Sequence, residues 1–505
     1  MENSFKHQAS HTVAPRPPRK ALRNDHLYSL AAILIAIAFS GTLLAGTGRW
    51  IPITEPDSAS YIDFDWSSLK QILSGIRTPL YPAFVQLARS TMGISAIPFL
   101  HFAMMMLAVV LFYTGLTSIG FRPWTAAASA APLCFSRGLW DFGARIGSDA
   151  LGIAMSIGCV SFFLMAISKY SPRCSATQPP TQGPTQSSHQ PKLAENNIIP
   201  ISGWIGLGCL TLATILVRPA YLFLIPLWPV LAITLLPFIW GRTWKEAIQT
   251  AIKMSLISVL PLLSYCALRW TVVQEFGLVS FAGYNLIGIT GQYVDRSDVD
   301  DLPEGSRELA QRLIEFREEA GYHPSPYDYR SMVDLYNKTA WELAAPASET
   351  IYGTDTKQSN QALQRLAMSS LFLHPREYIF WFRSNAWSMF QQLVRGAIMD
   401  VGSRISLCLL ALWGGIIAIQ RVSNPKQYGA HRNQPPNTNS FRIASFEFGT
   451  LVWISVLFAA AKGLLVVLVE PALGRYVVAV GCFFPACIGL FASLLATRIQ
   501  QCPKR

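Results

Sequence analysis

The stretch from Thr54 to Pro82, TEPDSASYIDFDWSSLKQILSGIRTPLYP, gathers the groups best suited to chemistry. It carries Glu55, Asp57, Asp63 and Asp65, and it closes on Arg77, Pro79, Tyr81 and Pro82 before the chain turns apolar again. A carboxylate in such a loop can act as a general base on a hydroxyl, and an arginine about twenty residues on can hold a phosphate through charge-assisted hydrogen bonds. A solvated acidic loop with turn prolines has the same composition, so the elements around the stretch must decide between the two.

Those elements are apolar. Of 505 residues, 51% are hydrophobic and 14% charged, more apolar surface than a soluble core of this size needs, which predicts an all-α polytopic membrane protein. The net charge of +12 is spread over short hydrophilic gaps rather than gathered in a stripe, so nucleic acid is excluded as a partner and membrane topology explains the charge. The cysteines lie mainly in apolar runs (Cys134, Cys159, Cys209, Cys266, Cys408, Cys482, Cys487) with no CxxC pair, which argues against a zinc site or a disulfide framework. Glycine-rich nucleotide-binding patterns are absent as well.

The apolar runs predict about ten membrane helices, each near the twenty residues a bilayer core requires: 27–47, 95–119, 124–140, 147–168, 199–217, 219–240, 248–270, 403–420, 447–469 and 474–497. The third contains Pro132 and Arg137, which also suit a re-entrant piece. Residues 1–26 form a basic inner N-terminus. Seven spans fill 27–270, with a first outer loop at 48–94 and a polar inner loop at 170–198. Residues 271–402 form an outer helical segment, 403–497 hold three more spans, and 498–505 are an inner tail. Arg122, Lys169, Arg242, Lys245, Arg421, Lys426 and Arg498 then all fall inside, as the positive-inside rule requires. Within the outer segment, 303–320 and 361–373 show amphipathic helical spacing and would lie on the bilayer or cap the first loop. The run Tyr378, Phe380, Trp381, Phe382 and Trp387 suits an interfacial aromatic belt, and the polar stretches 171–191 and 423–439 suit disordered inner loops.

This topology sends the remaining charges to one face. Arg145 and Asp149, four positions apart at the start of the fourth span, would share a helix face. Arg218 sits at the turn between the fifth and sixth spans, and Glu470, Arg475 and Tyr476 at the last outer turn. Lys462 lies inside the ninth span, either as a snorkelling side chain or as a pocket residue. If the turns converge, Arg77, Arg145, Arg218 and Arg475 make a cationic pocket for a phosphate, with Tyr61, Tyr81, Asp149, Lys462, Glu470 and Tyr476 lining it and Asp57 or Glu55 as the base.

The chain resembles the polytopic glycosyltransferases of the GT-C fold, in particular bacterial relatives of the protein O-mannosyltransferases and lipid A aminoarabinose transferases (glycosyltransferase family 39-like). The resemblance rests on Glu55-Pro-Asp57 with Ser58 and Tyr61, Arg77-Thr-Pro-Leu-Tyr-Pro82, Ser148-Asp149-Ala-Leu, Arg218-Pro219, His374-Pro375 with Tyr378, and Arg475-Tyr476. It implies transfer of a sugar from a polyprenyl phosphate donor, among membrane lipids, to an envelope glycan, lipid or protein. It also implies a bacterial inner membrane location with the site facing the periplasm. By the same resemblance Asp57 is the base with Glu55 the alternative, Asp149 lies near the donor head, and Arg77 and Arg475 contact phosphate. Pro56 separates Glu55 from Asp57 where the best-known members have adjacent Asp and Glu. No cofactor is required, although part of the superfamily uses a divalent metal. The competing expectations are a polysaccharide polymerase or ligase using a diphosphate-linked glycan, and a lipid-linked sugar flippase or transporter. Transport fits less well, because the charges cluster at one face and no internal repeat is visible.

Overall fold

The computed structural model describes residues 19–172, 198–353, 355–423 and 438–501. The two polar stretches expected to form disordered loops lie almost entirely outside them. Among the described residues the chain is helical, with one isolated parallel bridge between Ile53 and Arg145 and no strand. Among the described residues, seven helices are long and apolar enough to cross a membrane: Asn24–Gly46, Ile94–Ser118, Ser148–Tyr170, Pro219–Ile239, Trp244–Val273, Val401–Ile419 and Arg442–Val469. The pair Gly474–Val480 and Phe484–Ile499, bent by 46°, makes an eighth if it is one broken span. The chain is therefore an integral, multi-pass, all-α membrane protein.

Two of the expected spans look different. Ile201–Val217 is apolar but short. Residues 124–140 do not form one helix: the chain runs from Pro123–Ala130 through a 3-10 turn, Ala131–Phe135, into Arg137–Phe142. Pro132 accounts for the break, since it lacks an N–H and its ring collides with the carbonyl four residues back. The broken segment is wedged tightly in place. A Cβ on Gly489 would stand 2.1 Å from the Ala128 carbonyl oxygen, so the last helix approaches it at a distance only glycine permits.

The Ser148–Tyr170 span is the hub. Its apolar window is 94% buried, against 22% to 44% for the six other long spans, so the rest of the bundle wraps around it. The hydrogen bonds between helices then define two ends. At one, Arg122 pairs with Glu447 (3.0 Å) and Arg242 donates to the Tyr170 carbonyl (2.6 Å). At the other end of the same helices lie the first loop, Arg145, Arg218 and the turn from Glu470 to Tyr476.

Over that second end the 271–402 segment folds on itself. Leu309, Leu313 and Ile314 of Glu304–Glu319 pack against Leu363, Leu366 and Ala367 of Thr356–Leu373, so the two amphipathic helices face each other in a core of their own rather than lying flat. Asp355 starts the second by accepting from the Lys357 and Gln358 N–H groups. The aromatic run is not a uniform interfacial belt. Trp387 is exposed, but Trp381 is fully buried and donates to the Val467 carbonyl (3.3 Å), and the Tyr378 hydroxyl donates to the Leu468 carbonyl (2.7 Å). These side chains have polar ends that satisfy the last carbonyls of Thr438–Val469, which have no partner within their own helix.

Candidate functional site

The site is built on two backbone hydrogen bonds. The Ile53 N–H donates to the Ala144 carbonyl (2.8 Å) and the Ile146 N–H to the Ile53 carbonyl (2.9 Å), which ties the first loop to the linker ahead of the hub helix. Glu55 then opens a 3-10 turn, Pro56–Ser58, whose buried Ser58 Oγ accepts from the Glu55 N–H (2.7 Å) and donates to the Ile146 carbonyl (2.8 Å). The Glu55 carboxylate pairs with Arg145.

The turn presents Asp57 to two guanidinium groups. Arg77 Nη2 lies 2.8 Å from Oδ1, and Arg475 Nη1 lies 3.6 Å from Oδ2. Arg77 also donates from Nε to Ser60 Oγ (3.0 Å) and sits over the Tyr61 ring (5.0 Å). Arg475 donates from Nη2 to the Tyr476 hydroxyl (2.9 Å), while its buried Nε has no partner among the described residues. Arg218 pairs with Asp149 in the first turn of the hub helix and lies over the Tyr476 ring (5.4 Å). Glu470 sits at the start of the turn that carries Arg475 and Tyr476, its backbone carbonyl held by the Asn385 amide (2.8 Å).

Behind this layer, Tyr61 meets Tyr81 edge to face with ring centres 4.8 Å apart, and the Tyr81 hydroxyl is 3.4 Å from His101 Nε2. Burial pushes the Tyr81 phenol well above its ordinary pKa, so it stays neutral. Lys462 lies deeper. It is 2% exposed, with Nζ 3.4 Å from the centre of the Tyr221 ring, and so points into the bundle rather than snorkelling.

Every residue expected in the pocket except the deeper Lys462 is thus brought to one end of the bundle, but one expected pairing is replaced. Arg145 and Asp149 do not share a helix face, because Gly147 is extended (φ −158°) and the helix begins only at Ser148. Each finds a partner from elsewhere in the chain, Glu55 and Arg218 respectively. Glu55, Asp57 and Asp149 each bind guanidinium, and among the described residues no three His, Cys, Asp or Glu side chains converge as metal ligands.

Sequence reasoning missed two supports. Asn385, fully buried, donates to the Val467 and Glu470 carbonyls (3.1 and 2.8 Å) and accepts from the Ala472 N–H and the Tyr329 hydroxyl (both 2.8 Å). It fixes the turn that delivers Arg475; an amide inside an aromatic-rich helix was its only signal. Arg269, 1% exposed, donates to the Leu73 and Gly277 carbonyls (both 2.8 Å) and to Glu275 (3.0 Å). It ties the first loop to the 271–402 segment, whereas in sequence it resembles an ordinary helix-end arginine.

No protein-family model, curated protein or solved structure matches the chain.

Proposed function

We propose that this protein is an integral membrane glycosyltransferase that moves a sugar from a polyprenyl-phosphate-linked donor to an envelope acceptor, as its resemblance to the GT-C enzymes implies. The observation that carries the reading is Asp57, a solvent-accessible carboxylate held between Arg77 and Arg475 from opposite ends of the chain, at one end of an apolar helix bundle.

A donor phosphate arriving at headgroup level takes the N–H groups of Arg77 and Arg475, with Arg218 behind them. As the guanidinium groups turn to the phosphate, Asp57 is released to accept the proton of the acceptor hydroxyl. The hydroxyl oxygen bonds to the anomeric carbon, and the bond from that carbon to the phosphate oxygen breaks. Its electron pair stays on polyprenyl phosphate, stabilised by the arginines. Glu55, fixed by Arg145 and by its turn, positions Asp57.

In this reading the broken 123–142 segment completes ten crossings. Arg122 before it pairs with Glu447 at one end, and the Arg137 N–H reaches Asp400 Oδ2 (2.9 Å) toward the other. The Lys- and Arg-rich loops on the opposite side support an outward-facing site, which on the GT-C resemblance is the periplasmic face of a bacterial inner membrane. The depth of Lys462 beneath Arg218 favours a second reading, a polymerase or ligase whose diphosphate-linked donor reaches further in.

The test is release of polyprenyl phosphate from a synthetic polyprenyl phosphate hexose by the purified protein in detergent. Turnover without a sealed membrane supports the transferase and counts against transport. Turnover only of a diphosphate-linked donor selects the second reading, and no turnover of either donor overturns both.

A further inference from the structure

We infer that the acceptor is a glycan, and that it is held against the exposed face of Trp341, which is backed by the buried Tyr284 and by Phe281 beside Arg77; this rests on the transferase reading. This aromatic cluster begins at the site itself, where Arg77 lies over the Phe281 ring at 5.9 Å. Phe281 stacks on Tyr284 (5.9 Å, 28°) and meets Trp341 (5.6 Å, 32°), and Tyr284 and Trp341 are nearly parallel (5.4 Å, 8°).

The three rings are held rigidly. Ala282–Thr290, which carries Tyr284, is locked onto Thr356–Leu373: the Gly283 N–H donates to Asn360 Oδ1 (2.9 Å), and a Cβ at Gly283 would stand 2.2 Å from the Asn360 carbonyl oxygen. Trp341 sits in a π-helical turn, Lys338–Ala344, a rare geometry that recurs at functional sites. Thr339, Ala340, Leu343 and Ala344 of that turn are buried, whereas Trp341 is 45% exposed. Its indole N–H meets no acceptor among the described residues.

The chemistry around the ring selects the ligand. A pyranose ring offers a face of C–H groups carrying slight positive charge, which matches the negative face of an aromatic ring, and its rim of hydroxyls seeks donors and acceptors. Trp341 supplies such a face. Glu342, which accepts from the Tyr322 hydroxyl (2.8 Å), and Lys338, over the Tyr322 ring (4.9 Å), supply a polar rim in the same turn. The cluster leads to Arg77, so a glycan held at its Trp341 end presents a terminal hydroxyl toward Asp57.

The experiment uses the full chain in nanodiscs, labelled with 5-fluorotryptophan, with the Trp341 fluorine signal assigned by its loss in Trp341→Phe. Soluble linear hexasaccharides of glucose, mannose and N-acetylglucosamine are titrated in. The expected result is a saturable shift of the Trp341 signal with at least one saccharide. Calorimetric affinity for that saccharide should fall about tenfold in Trp341→Ala and be largely kept in Trp341→Phe, which retains an aromatic face. A signal that follows lipid composition but no saccharide marks a membrane anchor and overturns the inference, as does saccharide binding indifferent to Trp341→Ala. If the wild type turns over neither lipid-linked donor yet keeps the Trp341-dependent binding, the transferase reading fails and the glycan site stands.

Discussion

Replacing Asp57 by Asn separates the two tasks of this carboxylate. The amide keeps the side-chain size and can still accept from Arg77 through its oxygen, but it cannot take up a proton. The ion pairs it disrupts are partly exposed, with Asp57 at 43% and Arg77 and Arg475 at 23% and 37%, and the second spans 3.6 Å. Stability should therefore change by no more than about 1 kcal/mol, as for exposed pairs generally. Loss of a general base lowers the rate by about 100- to 10,000-fold, or about 3 to 5 kcal/mol of activation free energy. Donor affinity should hold or rise, because the arginines no longer share their N–H groups with a carboxylate. In Arg77→Ala it should fall about 10- to 100-fold with the loss of charge-assisted bonds to phosphate. Polyprenyl phosphate release, donor affinity and thermal unfolding, measured on the same preparations, read the three quantities separately. Asp57→Asn turning over at more than about a tenth of the wild-type rate would refute its role as the base. Inactivity accompanied by a loss of stability far beyond one ion pair would show it to be a strut.

Other substitutions test the supports. Asn385→Ala leaves the Glu470 carbonyl and the Ala472 N–H without their partner and the Val467 carbonyl with Trp381 alone, and should cost about 2 to 4 kcal/mol in denaturant unfolding. Donor affinity should weaken with it as the Arg475 turn loosens. Gly489→Ala forces a Cβ against the Ala128 carbonyl, and separating those two backbones should cost about 1 to 3 kcal/mol, visible as a lower melting temperature. Burial raises Asp400 to about 6, against backbone N–H donors from Arg137, Ser403 and Gly402 that favour its charged form. Its folded pKa lies above the unfolded value, so it contributes stability that is full below about pH 4 and lost as pH rises through about 6. The wild type should accordingly melt lower at pH 7.5 than at pH 5, with a flatter profile in Asp400→Asn. Equal slopes for the two would remove Asp400 as the cause.

Much of the fold was legible because hydrophobic length is a local signal. The long spans, the amphipathic helices near Glu304–Glu319 and Thr356–Leu373, and the gathering of charge at one end all follow from patterns within about twenty residues. What was not legible depends on tertiary contact. Pro132, which breaks 124–140, was visible, but the tight seat of the broken pieces against the last helix, where the Ala128 and Gly489 backbones meet, was not. Trp381 belongs by type to an interfacial belt, and only the unpaired carbonyls at the end of Thr438–Val469 draw it inward. Lys462 could snorkel or turn inward on sequence grounds alone, and the packing of its helix chose the interior.

The site shows the same division more sharply. Spacing placed Arg77, Arg145, Arg218 and Arg475 at one end of the bundle but did not pair them, because, apart from Asp57 with Arg77 in the same loop, the carboxylates they meet come from distant parts of the chain. On the transferase reading, the pairing also favours Asp57 over Glu55 as the base. Cations gathered at the edge of a bilayer need counter-charges, and here the carboxylates supply them. Glu55 and Asp149 are each matched with one arginine, and each is further tied to a turn or a helix start. Asp57 is shared between two arginines and held loosely by one of them. On the proposed transferase reading, a phosphate that draws Arg77 and Arg475 away would free Asp57 while leaving the other two pairs intact, so the carboxylate that neutralises these arginines would also be the one available to take a proton.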